Sequence, residues 1–157
     1  MDQKTEKELI KRIRDGEPQA FSILVGQYQE PLFNLILQIV SSPEDAEELT
    51  QDAFVRAFQK LGSFRGDSGI FTWLYRIAYN TAISAARKRR AVYYDFDDKI
   101  LNNIPDEVVD ELLNREDDEK LLQSMNAAIE KLRPEEKALI TLYYLQGRSV
   151  CDIATIM

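Results

Sequence analysis

The chain of 157 residues contains no histidine and a single cysteine, Cys151. The absence of histidine excludes zinc fingers, histidine-based hydrolase centres and histidine triads, and one cysteine excludes an internal disulfide. The apolar run Leu32 to Val40 is interrupted by Asn34 and Gln38 and is too short to span a bilayer. The polar N-terminus has no signal-peptide core. We therefore expect a cytoplasmic protein without membrane insertion, metal, cofactor or catalytic residues, and not an enzyme.

Charge is present in ordinary amount but is unevenly distributed. The formal net charge is −7, from 20 basic and 27 acidic residues. Residues 56–90 hold eight basic residues and one acid, whereas residues 95–119 hold eleven acids and two basic residues. This separation is consistent with a polyanion-binding surface followed by an acidic segment, or with a solvated helix end followed by a solvated linker. Composition alone leaves both interpretations open.

Apolar residues recur at helical spacing along most of the chain, and no long window alternates with period two. We predict an all-α fold: an N-terminal helical bundle (1–92), an acidic linker (93–118) and a partial helix-turn-helix domain (119–157). Within it we expect Pro31 to kink or break a helix, Ser42 to cap the next one, and a long helix to end near Arg90. Phe58 is predicted to face inward, and Cys151 to be a buried small hydrophobe.

The predicted helix from Ile70 to Arg90 carries the first candidate surface. Trp73, Arg76, Asn80, Ser84 and Arg87 share one face, and the helix ends in four consecutive basic residues. Aromatic side chains stack on unpaired bases while Arg and Lys hold phosphates, so this pattern fits a platform for single-stranded nucleic acid. The alternative is that the aromatic residues are core and the basic residues are a helix end that favours positive charge.

The predicted helix from Glu44 to Leu61 carries a second, mixed-charge face, which includes Asp52 and Arg56 four residues apart. An ordinary solvated helix explains this face equally well. The third candidate is the helix-turn-helix pattern around Gly147, which reaches Met157 before a recognition helix could begin.

Three ordered strings carry a specific resemblance: Asp45–Phe58, Ser63–Ser68 and Phe71–Ala82. They closely resemble bacterial RNA polymerase sigma factors of the extracytoplasmic-function group. The similarity extends upstream to residues 15–21 and resumes at residues 132–136, so it covers nearly the whole chain apart from the linker.

The resemblance implies a subunit that binds core RNA polymerase and recognises and melts the minus-ten promoter element for transcription initiation. In that family, the loop and helix matching this part of the chain capture the non-template single strand. The DNA-binding residues implied are Phe64, Arg65, Asp67, Ser68, Phe71, Trp73, Arg76, Asn80, Ser84, Arg87, Lys88, Arg89 and Arg90.

The resemblance also assigns the mixed-charge face to the clamp helices of the polymerase largest subunit. The polymerase-binding residues implied are Asp45, Glu48, Gln51, Asp52, Arg56, Gln59 and Lys60. An anti-sigma factor is a further expected partner. Because residues 119–157 match only the beginning of the family's second domain, we assign no minus-thirty-five recognition to this chain. The alternative function is a sigma-like decoy that binds polymerase without initiating.

Overall fold

The computed structural model describes residues 3–66, 68–101 and 118–157, with side chains described at 4–66, 68–89 and 119–157. Over these residues it is all-α, without a strand, which confirms the predicted fold class. The α-helices are α1 (Gln3–Arg14), α2 (Pro18–Val40), α3 (Pro43–Lys60), α4 (Ile70–Leu101), α5 (Asp118–Glu130), α6 (Pro134–Ile140) and α7 (Val150–Ile156). A 3-10 turn (Leu61–Ser63) follows α3, and a π-helical turn (Thr141–Leu145) follows α6.

Helix α2 continues through Pro31, so the predicted break is wrong. Proline removes one backbone hydrogen bond, but α2 is packed on several sides and most of its stability comes from burial rather than from local propensity. Leu24, Leu32, Leu35 and Ile36 are at most 1% exposed. This packing holds the helix together across a position where an isolated helix would end.

Helix α3 begins as its sequence predicts. The side chain of Ser42 accepts a hydrogen bond from the backbone nitrogen of Asp45, and Pro43 is the first helical residue. Acids in the first turn also favour the positive end of the helix dipole. On its outer side, Phe58 is 56% exposed, so its predicted inward orientation is wrong.

Helix α4 extends to Leu101, eleven residues past the end predicted at Arg90. Residues 91–101 contain neither proline nor glycine, and a helix needs no apolar stripe to maintain its own backbone hydrogen bonds. The first part of the segment assigned to the acidic linker is therefore helical. Residues 102–117 of that segment lie outside the described part of the chain.

The core lies where α2, α3 and α4 pack together, and α1 closes one side with Leu9, Ile10 and Ile13. The C-terminal helices join the same core instead of forming one of their own: Leu142 and Ile156 are fully buried. Of the alternatives for these helices, poor order or packing on the first domain, the structure shows packing. Cys151 is exposed, contrary to prediction, because α7 turns Ile153 and Ile156 inward instead.

Candidate functional site

The aromatic residues around α4 divide into a buried layer and a partly exposed layer. Tyr75 is fully buried and Tyr79 is 7% exposed, so both belong to the core. Phe71 and Trp73 are only partly buried, and Phe71 lies against Tyr75 with ring centroids 4.2 Å apart. The two interpretations of this surface therefore apply to different residues: the tyrosines are core, whereas Phe71 and Trp73 retain accessible ring area.

A polar stripe runs along the solvent side of α4. Arg76, Asn80, Ser84 and Arg87 are all exposed, and with Trp73 they follow one another at three- or four-residue steps. This spacing places them on one helix face. The stripe offers an aromatic ring, an amide, a hydroxyl and two guanidinium groups in a row, which are groups that stack on bases and bind phosphates.

The loop before α4 lies beside this stripe. Phe64 is 8% exposed and packs on Trp73 with ring centroids 5.3 Å apart, so its ring is part of the support rather than of the open surface. Arg65 is exposed and Ser68 is partly buried, while Asp67 lies outside the described residues. Gly66 has a φ of 79°, a conformation that favours glycine and turns the loop back toward α4.

Helix α1 holds this loop, a role that the sequence pattern did not indicate. The guanidinium group of Arg14 donates hydrogen bonds to the backbone oxygens of Phe64 and Leu61. These partners are 50 and 47 residues away from Arg14 in the chain, so no local sequence signal indicates the contact. The end of α1 is thus fixed to the point where α3 gives way to the loop.

The basic end of the site is partly neutralised by acids. Arg87, Lys88 and Arg89 are exposed, and the side chain of Arg90 lies outside the described part. Arg87 lies 3.4 Å from a carboxylate oxygen of Glu135, and Arg89 forms an ion pair with Asp45. Because Asp45 is an implied polymerase-binding residue, the Arg89 contact joins the two candidate surfaces.

The outward face of α3 carries the second set of candidate residues. Glu48, Gln51, Asp52, Gln59 and Lys60 are exposed there, as the sequence predicts for a solvated or partner-binding face. Arg56 is exposed as well, but it donates a hydrogen bond of 3.3 Å to the side-chain oxygen of Thr81 on α4. Arg56 therefore links α3 to α4 in addition to presenting positive charge.

A cleft of about 600 Å³ opens between α2 and α3, beside this face. Its walls include apolar Val25, Phe33 and Phe54 and polar Gln29 and Gln51. Val55, on the rim, is 54% exposed, and Phe58 on the same helix is 56% exposed. The sequence pattern did not indicate this cleft because it placed Phe58 inside.

The C-terminal helices cover part of the aromatic layer. The guanidinium carbon of Arg148 lies 3.5 Å from the Phe71 ring centroid and 5.5 Å from that of Tyr75. Burial raises the pKa of Tyr75 well above its usual value, and the positive charge of Arg148 lowers it by less. Nearby, the side chain of Gln146 donates a 3.0 Å hydrogen bond to the backbone oxygen of Pro31.

A second contact fixes α6 at the C-terminal end of α2. The ammonium group of Lys137 donates to the side-chain oxygen of Ser41, at 3.3 Å. Burial lowers the pKa of Lys137, and the neighbouring charge of Glu130 raises it by less. A cation at a helix C-terminus is stabilised by the helix dipole, which compensates part of the burial.

The described residues contain no group of three or more His, Cys, Asp and Glu side chains arranged to hold a metal ion. None of their helices combines the length and the apolar character needed to cross a membrane.

Comparison with known proteins identifies the family. The family model "Sigma-70 region 2" matches residues 24–92, which include the mixed-charge face of α3, the loop and the polar stripe of α4. The RNA polymerase sigma-H factor of Pseudomonas aeruginosa is 34% identical over 166 residues, covering 99% of this chain and 83% of the relative. The ECF RNA polymerase sigma-E factor of Escherichia coli strain K12 is 38% identical over 162 residues, covering 99% of this chain and 84% of the relative.

A solved structure, that of CnrH in complex with the cytosolic domain of CnrY, has a similar fold. Its TM-score is 0.50 at 21% identity, with coverage of 96% of this chain and 94% of the other. Fold, site and relatives agree. The chain belongs to the extracytoplasmic-function sigma factors, the non-enzymatic subunits that bind bacterial RNA polymerase and promoter DNA to start transcription at specific promoters.

Proposed function

We propose that this sigma factor opens promoters by capturing unpaired bases of the minus-ten non-template strand on the Phe71–Arg87 face of α4. The observation that carries this proposal is the exposed stripe of Trp73, Arg76, Asn80, Ser84 and Arg87 beside the loop held by Arg14. Extruding a base costs a few kcal/mol, and stacking returns about 1–3 kcal/mol per base. A few captured bases therefore suffice to melt a short segment without nucleotide hydrolysis.

Charge supports a role for the basic end of α4 in the same step. Arg87, Lys88 and Arg89 are exposed and lie beyond the stripe, where the continuing duplex would run. Guanidinium and ammonium groups bind phosphates irrespective of sequence. Arg90 and Asp67 remain in the proposed set on the strength of the family resemblance.

Core polymerase is proposed to bind the outward face of α3, through the clamp helices of its largest subunit. Glu48, Asp52 and Gln59 are exposed on that face, next to the cleft rimmed by Val55. An apolar cleft beside exposed acids suits a partner helix that presents one apolar anchor and flanking basic side chains. In this scheme residues 1–92 are the polymerase-binding and melting unit, 93–118 a connector and 119–157 a second unit.

Charge reversal tests the polymerase interface. Glu48→Lys combined with Asp52→Lys is expected to weaken binding to purified core enzyme by at least tenfold, because like charges then face each other. The matched control is Glu8→Lys with Asp15→Lys, two reversals at exposed positions in and just after α1. Equal loss in both double variants, or none in the first, would remove the interface from α3.

Run-off transcription separates the proposed function from a decoy. An initiator with core enzyme yields promoter-dependent transcripts, whereas a decoy binds core and yields none. The decoy has one structural feature in its favour, the cover of Phe71 by Arg148. We propose action in the cytoplasm, where polymerase and promoters are, and an anti-sigma factor as a further partner.

A further inference from the structure

The face proposed to receive unpaired bases is already occupied in this structure. The guanidinium group of Arg148 lies 3.5 Å above the Phe71 ring centroid. A guanidinium group is flat and is attracted to the face of an aromatic ring, so it takes the place in which a base would stack. A base and Arg148 therefore cannot occupy this side of Phe71 together.

A second contact occupies the basic end of the same face. The carboxylate of Glu135 lies 3.4 Å from the guanidinium group of Arg87, where a DNA phosphate is proposed to bind. The Arg87 side chain is 72% exposed, so this pair is weak and a phosphate can replace the carboxylate. Glu135 also lies close enough to Tyr79 to raise the pKa of its hydroxyl, after the larger effect of burial.

The interface that holds Arg148 is only partly satisfied. Among the described residues, Tyr75 Oη, Gln146 Oε1 and Arg148 Nε are buried without a hydrogen-bond partner. All three meet where the turn between α6 and α7 contacts α2 and α4. Buried polar atoms without partners are rare in permanent interfaces because each one opposes association. Leu142 and Ile156 favour the contact by apolar burial, so the balance between bound and released states is close.

We infer that residues 134–157 are a reversible intramolecular competitor of promoter DNA, with Arg148 in place of a base and Glu135 in place of a phosphate. This inference rests on the proposed function, since it names what regulates the same site. Any partner that holds residues 134–157 elsewhere shifts the population toward the open, DNA-binding form. The apparent affinity for DNA then rises by the inverse of the open fraction in the free protein.

The chain carries its own reporter pair. Trp73 on α4 is the only tryptophan, and Cys151 on α7 is the only cysteine and is exposed. Since α7 packs on α4, a dye attached to Cys151 that accepts tryptophan fluorescence reports the closed form by efficient energy transfer. The test variant is Arg148→Ala with Glu135→Gln, and the matched control is the exposed Lys131→Ala, just before the same segment. Circular dichroism checks that helix content is retained.

DNA binding is measured on the unlabelled full chain with fluorescein-labelled, mixed-sequence single-stranded DNA. The test variant is expected to show lower energy transfer and about tenfold tighter DNA binding than the wild type and the control. Adding Phe71→Leu to the test variant is expected to abolish the gain. A gain that survives this change would mean that the competition occurs elsewhere, and would overturn the inference.

The remaining outcomes separate the inference from the function on which it rests. Unchanged energy transfer, with equal DNA affinity in wild type and test variant, overturns the inference and leaves the proposed function standing. Reduced energy transfer with no DNA binding by either protein, free or bound to core enzyme, overturns both.

Discussion

The carboxylate of Glu6 accepts a hydrogen bond from the backbone nitrogen of Ile70, with Oε1 2.5 Å from that nitrogen. Glu6 belongs to α1, and Ile70 is the first residue of α4, 64 positions later. A carboxylate at a helix N-terminus satisfies a free backbone N–H and is favoured by the helix dipole. With Arg14 at the other end of the loop, α1 holds both ends of the segment proposed to capture bases.

Removing this contact should impair promoter opening more than polymerase binding. Loss of a helix N-cap costs about 1 kcal/mol, so we expect Glu6→Ala to slow opening by about fivefold, with core affinity unchanged. Glu6→Gln keeps an acceptor oxygen and should restore most of the rate. The matched control is Glu8→Ala, on the exposed side of α1. Opening is followed by the fluorescence of 2-aminopurine placed in the minus-ten element; an equal effect of Glu8→Ala would contradict the assignment.

Phe64 is expected to act through stability rather than through direct contact with DNA. It is 8% exposed and packs on Trp73, so Phe64→Ala leaves a cavity under the stripe and should lower the free energy of unfolding by about 3 kcal/mol. Arg65→Ala, at the exposed neighbour, should change it by less than about 0.5 kcal/mol. Urea denaturation measures both. A Phe64→Ala protein as stable as the wild type would return Phe64 to the open surface.

Pro31 offers a test of the continuous α2. Alanine at this position restores the backbone N–H that can donate to the oxygen of residue 27, so Pro31→Ala should raise the free energy of unfolding by about 1–3 kcal/mol. Ser22→Ala, on an exposed part of the same helix, serves as the control and should change stability by less than about 0.5 kcal/mol. Destabilisation by Pro31→Ala would mean that the proline ring itself contributes to packing.

Stability should fall in alkaline solution because of three tyrosines. Burial raises the pKa of Tyr28, Tyr75 and Tyr79, and nearby Glu6 and Glu135 add to this at Tyr28 and Tyr79. Above the ordinary tyrosine pKa of about 10, the unfolded chain loses these protons while the folded chain keeps them. The free energy of unfolding therefore stays constant with respect to these groups below that pH and decreases above it.

Tyrosinate absorbance and urea denaturation, measured together across this range, check the prediction. Four of the seven tyrosines should ionise in the folded protein before the three buried ones do. Simultaneous ionisation of all seven, without loss of stability, would contradict the burial of this layer.

Local features of the fold could be predicted from the sequence, whereas features that depend on tertiary packing could not. The Ser42 cap and the solvent-facing stripe from Trp73 to Arg87 follow from spacing within one helix. The continuation of α2 through Pro31 depends on neighbours that hold it, and the inward or outward position of Phe58 depends on where α2 ends its contact with α3.

For the site, the residue types and the strings shared with the family are enough to indicate both candidate surfaces. They could not indicate that Glu6 and Arg14 hold the loop, because those partners are about fifty residues or more away in the chain. Nor could they place Arg148 over Phe71. The turn around Gly147 indicated a helix-turn-helix but carried no information about the surface on which it would rest.

The central claim is that the exposed α4 stripe captures unpaired promoter bases while α3 binds polymerase. The most direct measurement is promoter opening by reconstituted holoenzyme, read by permanganate reactivity of minus-ten thymines, with core affinity measured in parallel. We predict that Trp73→Ala combined with Asn80→Ala abolishes thymine reactivity and leaves core affinity within about twofold, because neither side chain lies on α3. Undiminished reactivity, or an equal loss of core binding, would contradict the claim.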